Sequence, residues 1–290
     1  MSFVWPETRS PVGPSLTLPH ARRSARVISI ACGHSGVGKT TVAANLSLAL
    51  SQMRRRAMLV DCDPGPGDAT RGLGINGRES IDDVISGRLT VDQIVVDGPD
   101  ALFVVPAGPA DGRRREIDMV ARLKLADAFR VHRNSLDFVV VDTPGKADPD
   151  TLDMVASSDL PIVILCPQSD YFMEAYATVK LLSLDHEVAD IAIVANRIEG
   201  EAMGRDLFRR FADVSKRFLG STRLSYLGGI PDDEHIRSAA LRRRCVVDQH
   251  PHARAAQAIT ALARTVNTMA IVAAPGGDSF FGLEAITHAR

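Results

Sequence analysis

Between Cys32 and Thr41 the chain reads CGHSGVGKTT, in which Gly33, four intervening residues, Gly38, Lys39 and Thr40 reproduce the G-x-x-x-x-G-K-T spacing of a phosphate-binding loop. Glycines let successive backbone N–H groups converge on phosphate oxygens, and a helix beginning at the end of the motif adds the partial positive charge of its N-terminus. Lys39 brings a full positive charge for the outer phosphates, and Thr40 a hydroxyl oxygen suited to Mg²⁺. Gly33, His34, Ser35, Gly36, Val37, Gly38, Lys39, Thr40 and Thr41 are therefore the candidate phosphate-binding stretch.

Such a loop needs acidic partners at the ends of neighbouring strands. DFVVVDTPG closes an apolar run in Asp142, a candidate Mg²⁺ carboxylate, and Thr143 to Gly145 then form a loop able to sense a terminal phosphate. LVDCDPGPGD offers two more acids, Asp61 and Asp63. Asp63, in a segment rich in glycine and proline, is the candidate to orient an attacking water. Asp61 either joins it or caps its strand.

The elements that must carry these residues are legible as alternation. VISIA (27–31), AMLVD (57–61), ALFVV (101–105), DFVVVD (137–142), PIVILC (161–166) and IAIVAN (191–196) alternate with helical patterns. This pattern predicts an α/β fold: a mostly parallel, twisted sheet with helices on both faces. Leu207, Phe211, Val214 and Phe218 recur at helical spacing, as do Ile259, Leu262, Val266 and Met269, and both stripes read as core. The 290 residues divide into a leader (1–26) containing four prolines, one domain (27–270), and a tail (271–290), with Pro275 to Gly277 ending the last helix.

Apolar residues make up 45% and charged residues 24%, an ordinary globular balance, and the formal net charge of -1 excludes a globally basic nucleic-acid binder. Three arginine runs, Arg54 to Arg56, Arg113 to Arg115 and Arg242 to Arg244, either form a local basic patch or are solvated helix ends. Cys32, Cys62, Cys166 and Cys245 show neither CxxC pairing nor zinc spacing, which fits a reduced, cytoplasmic setting. Apolar segments such as LPIVILCP fall far short of the roughly 18 residues that a membrane-spanning helix requires.

CGHSGVGKTT, LVDCDPGPGDAT and VVVDTPG, in this order, resemble the MinD/ParA family of deviant Walker-type P-loop ATPases, and the resemblance covers nearly all of the chain after the leader. ESIDDVISGRLTVDQIVVDGPDALFVVPAG and FADVSKRFLGSTRLSYLGGIPDDEHIRSAALRRRCVV most resemble its flagellar-number regulators, FlhG/FleN. The resemblance implies a P-loop NTPase fold of the SIMIBI/MinD type. It also implies slow hydrolysis of ATP to ADP with Mg²⁺, and a homodimer that sandwiches ATP between its subunits. By the same resemblance Lys39, His34 and Asp63 form the catalytic set, Thr40 and Asp142 serve the metal, and Asn196, Arg197, Pro231 and Asp232 hold the adenine. An asparagine amide matches the donor and acceptor edge of adenine, although Asn196 also reads as a strand-end turn residue. The implied setting is cytoplasmic, with peripheral contact at the inner membrane face or cell pole and protein partners from a flagellar or other polar assembly.

Two departures from the family pattern stand out. The usual KGGVGKT becomes HSGVGKT, so His34 replaces the signature lysine that reaches across the dimer, and Ser35 replaces a glycine. Histidine is shorter than lysine and, with an ordinary pKa of about 6.5, carries only part of a charge near neutrality. The leader also lacks the DQA-type motif by which some FlhG proteins stimulate a partner GTPase. The tail, SFFGLEAITHAR, places Phe280, Phe281, Leu283 and Ile286 in a short segment that either dips into lipid or packs back on the protein. Two alternative functions remain at this level: a nucleotide-binding scaffold that no longer cycles, and a positioning ATPase for a chromosome, plasmid, cellulose-synthesis or pilus cargo.

Overall fold

The computed structural model describes residues 25–63, 69–75, 79–107, 119–130, 132, 134–219 and 222–269. The expectations for the leader before residue 25, for Arg113 to Arg115, for Pro275 to Gly277 and for the apolar tail residues lie outside them.

β1 (Arg26–Ala31) opens the fold and leads through the phosphate loop into α1 (Lys39–Gln52) and β2 (Ala57–Asp61). Four short pieces follow: α2 (Ala69–Gly72), α3 (Ile81–Ile85), α4 (Val91–Ile94) and β3 (Val96–Asp97). Next come β4 (Phe103–Val105), α5 (Met119–Arg130), β5 (Phe138–Asp142), α6 (Pro149–Ala156) and β6 (Leu160–Leu165). The last part of the body holds α7 (Ser169–Leu184), β7 (Asp190–Ile198), α8 (Glu201–Phe218), β8 (Arg223–Pro231), α9 (Glu234–Leu241), α10 (Val246–Gln249) and α11 (Arg254–Thr268). The strands of the described residues form one sheet in the order β3-β4-β2-β5-β1-β6-β7-β8. Every neighbouring pair is parallel except β3 with β4.

β1, β2, β5 and β6 are buried along their whole length, as continuous apolar runs covered on both faces require. Alternate side chains serve two layers. Ile28, Ile30, Leu59 and Val140 share a core with Leu46 and Leu50 of α1 and Ile259 of α11. Val27, Met58, Val60, Val139 and Val141 join Ile81 and Ile85 of α3 and Leu125 and Phe129 of α5. Because α1 is enclosed, its polar residues are satisfied internally: Asn45 donates to the Thr41 carbonyl (2.8 Å) and accepts from the Val247 N–H (3.2 Å).

Three sequence expectations need correction. The run at 101–105 starts as a strand only at Phe103, because Asp100 and Ala101 hold left-handed backbone (φ 52° and 61°) in a turn. On α8, Leu207 and Phe211 are buried but Val214 is half-buried and Phe218 is 68% exposed. Phe218 is the last residue of that helix, beyond the sheet, and the following Leu219 takes the buried place. GIPDD is not a plain loop: Gly229 to Pro231 finish β8, and only Asp232 and Asp233 turn. On α11, Ile259, Leu262 and Val266 are buried and Met269 packs partly against the core, as its spacing predicts. No helix among the described residues is long and apolar enough to cross a membrane.

Candidate nucleotide-binding site

The phosphate loop leaves the C-terminal end of β1 and is shaped from two sides. On the α7 side, the Gly33 N–H donates to Thr178 Oγ1 (2.8 Å). A Cβ at Gly33 would lie 2.9 Å from Glu174 Oε2 and 3.0 Å from Thr178 Oγ1, so a larger residue there would displace the α7 side chains. On the β7 side, the Asn196 amide donates to the Val37 carbonyl (2.7 Å) and the Arg197 guanidinium to the Gly36 carbonyl (2.5 Å). Gly38 holds φ +96°, and a Cβ there would stand 2.5 Å from Asn196 Nδ2. These glycines thus permit the curl and the close approach that backbone phosphate binding needs. Lys39 is 4% exposed, and its ammonium donates to the His34 carbonyl (3.2 Å), across the curl of the loop.

His34 and Ser35 form the tip. The His34 ring lies on the Tyr171 ring of α7, with centroids 4.8 Å apart and planes tilted by 59°. Its Nδ1 is hydrogen-bonded to the Ser35 carbonyl. Ser35 is exposed and packs against Gly145, where a Cβ would collide with its hydroxyl. Thr143 is buried, and its hydroxyl donates to the Ile30 carbonyl (2.8 Å), which pins the start of the 143–145 loop to β1. That loop therefore touches the phosphate loop through Gly145, not through Thr143.

The acids gather at adjacent strand ends. Asp61 of β2 and Asp142 of β5 are register partners, and both are fully buried. Asp61 Oδ1 accepts from the Asp63 N–H (3.1 Å), while Oδ2 accepts from the Ala69 N–H (2.7 Å) and the Thr70 hydroxyl (3.4 Å). Asp61 thus ties Asp63, at the end of β2, to Ala69 and Thr70, at the start of α2. Asp63 sits half-buried at the entrance of that loop. The Cys62 thiol lies fully buried among these acids. Burial, then the carboxylates of Asp61, Asp142 and Asp63, push its pKa well above the ordinary value. Burial likewise pushes the Cys166 and Cys245 thiols up to about 12.

The donors on offer, the Thr40 hydroxyl and the Asp142 carboxylate, are oxygens, which suits Mg²⁺ and not a softer metal. Among the described residues no group of three or more His, Cys, Asp or Glu is arranged to hold a metal alone. The residues therefore fit Mg²⁺ as an ion shared with bound phosphates.

The four residues expected at the base cluster where β7 and β8 end. Asn196 pairs in register with Ile230, and Ile198 with Pro231, which is buried. Asn196 and Arg197 are committed, in part, to bracing the loop backbone. The Asp232 N–H donates to the Ile198 carbonyl (2.8 Å), and its side chain is exposed. Asp233 caps α9 and accepts from the His235 N–H (3.0 Å), His235 Nδ1 (2.7 Å) and the Ala255 N–H of α11 (3.1 Å). Burial opposes its charge, but these hydrogen bonds outweigh it and hold its pKa below the ordinary aspartate value.

Two features escaped the sequence reading. One is the face of α7 that carries Tyr171, Glu174 and Thr178, for which no motif exists. The other is a cavity of about 430 Å³ between α1, α2, α9 and α10, lined by Thr40, Thr41, Asn45, Arg71, Ile236, Arg243 and Arg244 among others. Arg243 and Arg244 are exposed, as their run suggested, yet they also line this cavity beside the phosphate loop.

Residues 28–246 match the CobQ/CobB/MinD/ParA nucleotide binding domain. The antiactivator FleN of Pseudomonas aeruginosa is 32% identical over 91% of this chain and 94% of its own length. The flagellum site-determining protein YlxH of Helicobacter pylori is 24% identical over 83% and 81%. Among solved structures, the cell division ATPase MinD of Pyrococcus furiosus aligns with a TM-score of 0.68 at 26% identity, over 85% of this chain and all of that one. Sequence, site geometry and fold agree: the chain belongs to the CobQ/CobB/MinD/ParA nucleotide-binding family, as a P-loop ATPase of the MinD/ParA type similar to FleN.

Proposed function

We propose that this protein is an ATP-dependent dimerisation switch that hydrolyses ATP slowly and regulates flagellar number or placement through protein partners. The observation that carries the reading is a phosphate loop braced from both sides, with Lys39 held across it, at strand ends that also bear Asp61 and Asp142. The flagellar assignment is supported by the printed names of FleN and of YlxH.

In this reading the loop N–H groups and Lys39 bind the phosphate oxygens of ATP, and Thr40 and Asp142 would hold Mg²⁺. When bound, Mg²⁺ supplies charge neutralisation for the phosphates. Asp63 accepts a hydrogen bond from water and orients it toward the terminal phosphorus, so that ATP and water become ADP and phosphate. Asp61 positions Asp63 through the backbone N–H it accepts. Asn196, Arg197, Pro231 and Asp232 receive the adenine end. A homodimer brings the loop tip of one subunit to the phosphates of the other. Two measurements test the core of this reading: nucleotide affinity of the purified protein, and sedimentation with and without ATP. A protein that neither binds nucleotide nor changes its association state with ATP is not this switch.

A second reading is favoured by the tip itself. His34 lies on Tyr171 and is shorter than lysine, which suits a scaffold that binds nucleotide without cycling. Hydrolysis by the native protein and by His34→Lys separates the two readings. A gain of tenfold or more, about 1.4 kcal/mol in the barrier, favours the scaffold. Equal rates show that histidine is competent.

A further inference from the structure

We infer that Tyr171 of α7 is the positioning residue for His34, fixing the direction in which the substituted tip of the phosphate loop presents its imidazole. This inference rests on the switch proposed above. Tyr171, Glu174 and Thr178 are spaced i, i+3 and i+7, and so share one face of α7. That face follows the loop in order. Thr178 accepts from the Gly33 N–H at 2.8 Å, Glu174 Oε2 lies against the same glycine, and Tyr171 lies against the His34 ring at 4.8 Å. The Tyr171 hydroxyl also reaches toward Gly36, at 3.9 Å from the place a Cβ would take. Of these contacts, the one with Tyr171 engages a loop side chain.

A lysine at the tip would find its partner by length, whereas an imidazole has two rotatable bonds and a short reach. Where such a ring points is therefore decided by what it rests on. The hydrogen bond of Nδ1 to the Ser35 carbonyl fixes the remaining choice. A carbonyl only accepts, so Nδ1 carries a proton there, and Nε2 is the ring atom left to face the second subunit, where it accepts from a donor of that subunit or, when it too is protonated, donates to a phosphate oxygen. No other described ring is in contact with His34. Removing the tyrosine ring frees the imidazole to sample its other rotamers, and the population aimed correctly falls.

The test uses the full-length protein with His34→Ala, Tyr171→Phe, Tyr171→Leu and the double variant Tyr171→Leu/His34→Ala. Far-UV circular dichroism and the urea unfolding midpoint serve as the check on folding, since both report the fold independently of the phosphate loop. Three readouts are taken: the His34 ring proton resonances by NMR, the dimer dissociation constant in ATP, and kcat with KM. Tyr171→Phe is expected to keep the native resonances and dimer constant. Tyr171→Leu is expected to move the His34 resonances away from their ring-shielded position. It should also weaken the ATP-dependent dimer by about three- to tenfold, the range of a single aromatic contact. The double variant is expected to be no weaker than His34→Ala alone, since residues that act through one another are not additive.

Unchanged His34 resonances in Tyr171→Leu, or a full additive loss in the double variant, overturn the inference. If His34→Ala weakens the dimer and Tyr171→Leu does not, the inference fails while the switch stands. If ATP induces no association even in the native protein, the proposed function fails with it.

Discussion

At the scale of single residues, Asp61 shows how a buried charge is kept for architecture. Its two oxygens accept from the backbone N–H groups of Asp63 and Ala69 and from the Thr70 hydroxyl, so one carboxylate links the end of β2 to the start of α2. Asp61→Asn keeps one acceptor but turns an amide N–H₂ toward backbone donors. The expected cost is about 2–3 kcal/mol in urea unfolding, with a further loss of hydrolysis because Asp63 loses its brace. An unfolding midpoint equal to that of the native protein would contradict this role. Sequence spacing singled out Lys39, Thr40, Asp63 and Asp142 as candidates because phosphate chemistry imposes both residue type and interval. It was silent on Tyr171 and Thr178, since a tyrosine and a threonine on a helix are ordinary residues until the fold lays that face against the loop.

At the scale of elements, the loop is held between the face of α7 and the end of β7. The β7 side is the tighter one, with Gly38 in left-handed backbone pressed against the Asn196 amide. Gly38→Ala is expected to destabilise by about 1–3 kcal/mol, from backbone strain together with the close contact. In an Asn196→Ala background the cost of Gly38→Ala should fall, because the steric part disappears and only the strain remains. A double-mutant cycle by denaturant unfolding reads the difference, and strict additivity would show that the two residues do not press on each other. β1, β2, β5, β6 and β7 were legible because a strand covered on both faces must be apolar throughout. β8 was not. RLSYLGGIP lies at the sheet edge, most of it only half-buried, and its register against β7 shifts between Ile193 and Val194, where Leu227 is left unpaired. An edge strand with a bulge and two glycines carries neither alternation nor a continuous apolar run.

At the scale of the whole molecule, long-range polar links tie late elements to early ones. Asp233 joins the end of β8 to the N-terminus of α11 through the Ala255 N–H, and its pKa is held below the ordinary value. The sign follows directly. The native state binds this proton less readily than the unfolded chain, so the stabilisation is complete above the ordinary aspartate value of about 4. It is lost as the pH falls through the depressed native value. Asp233→Asn should therefore flatten the acid limb of a stability-against-pH curve and leave its slope near neutrality unchanged. A variant with the native acid limb would remove Asp233 from the account.

Arg26, the first residue of β1, donates to the carbonyls of Val266 (3.1 Å) and Met269 (3.4 Å), at the end of α11. Among the described residues the first strand and the last helix therefore meet at one corner, at the end of β1 opposite the phosphate loop. The six residues of β1 put that corner roughly 20 Å from the loop. The contact that joins the first described strand to the last described helix and the phosphate loop thus sit at opposite ends of one six-residue strand.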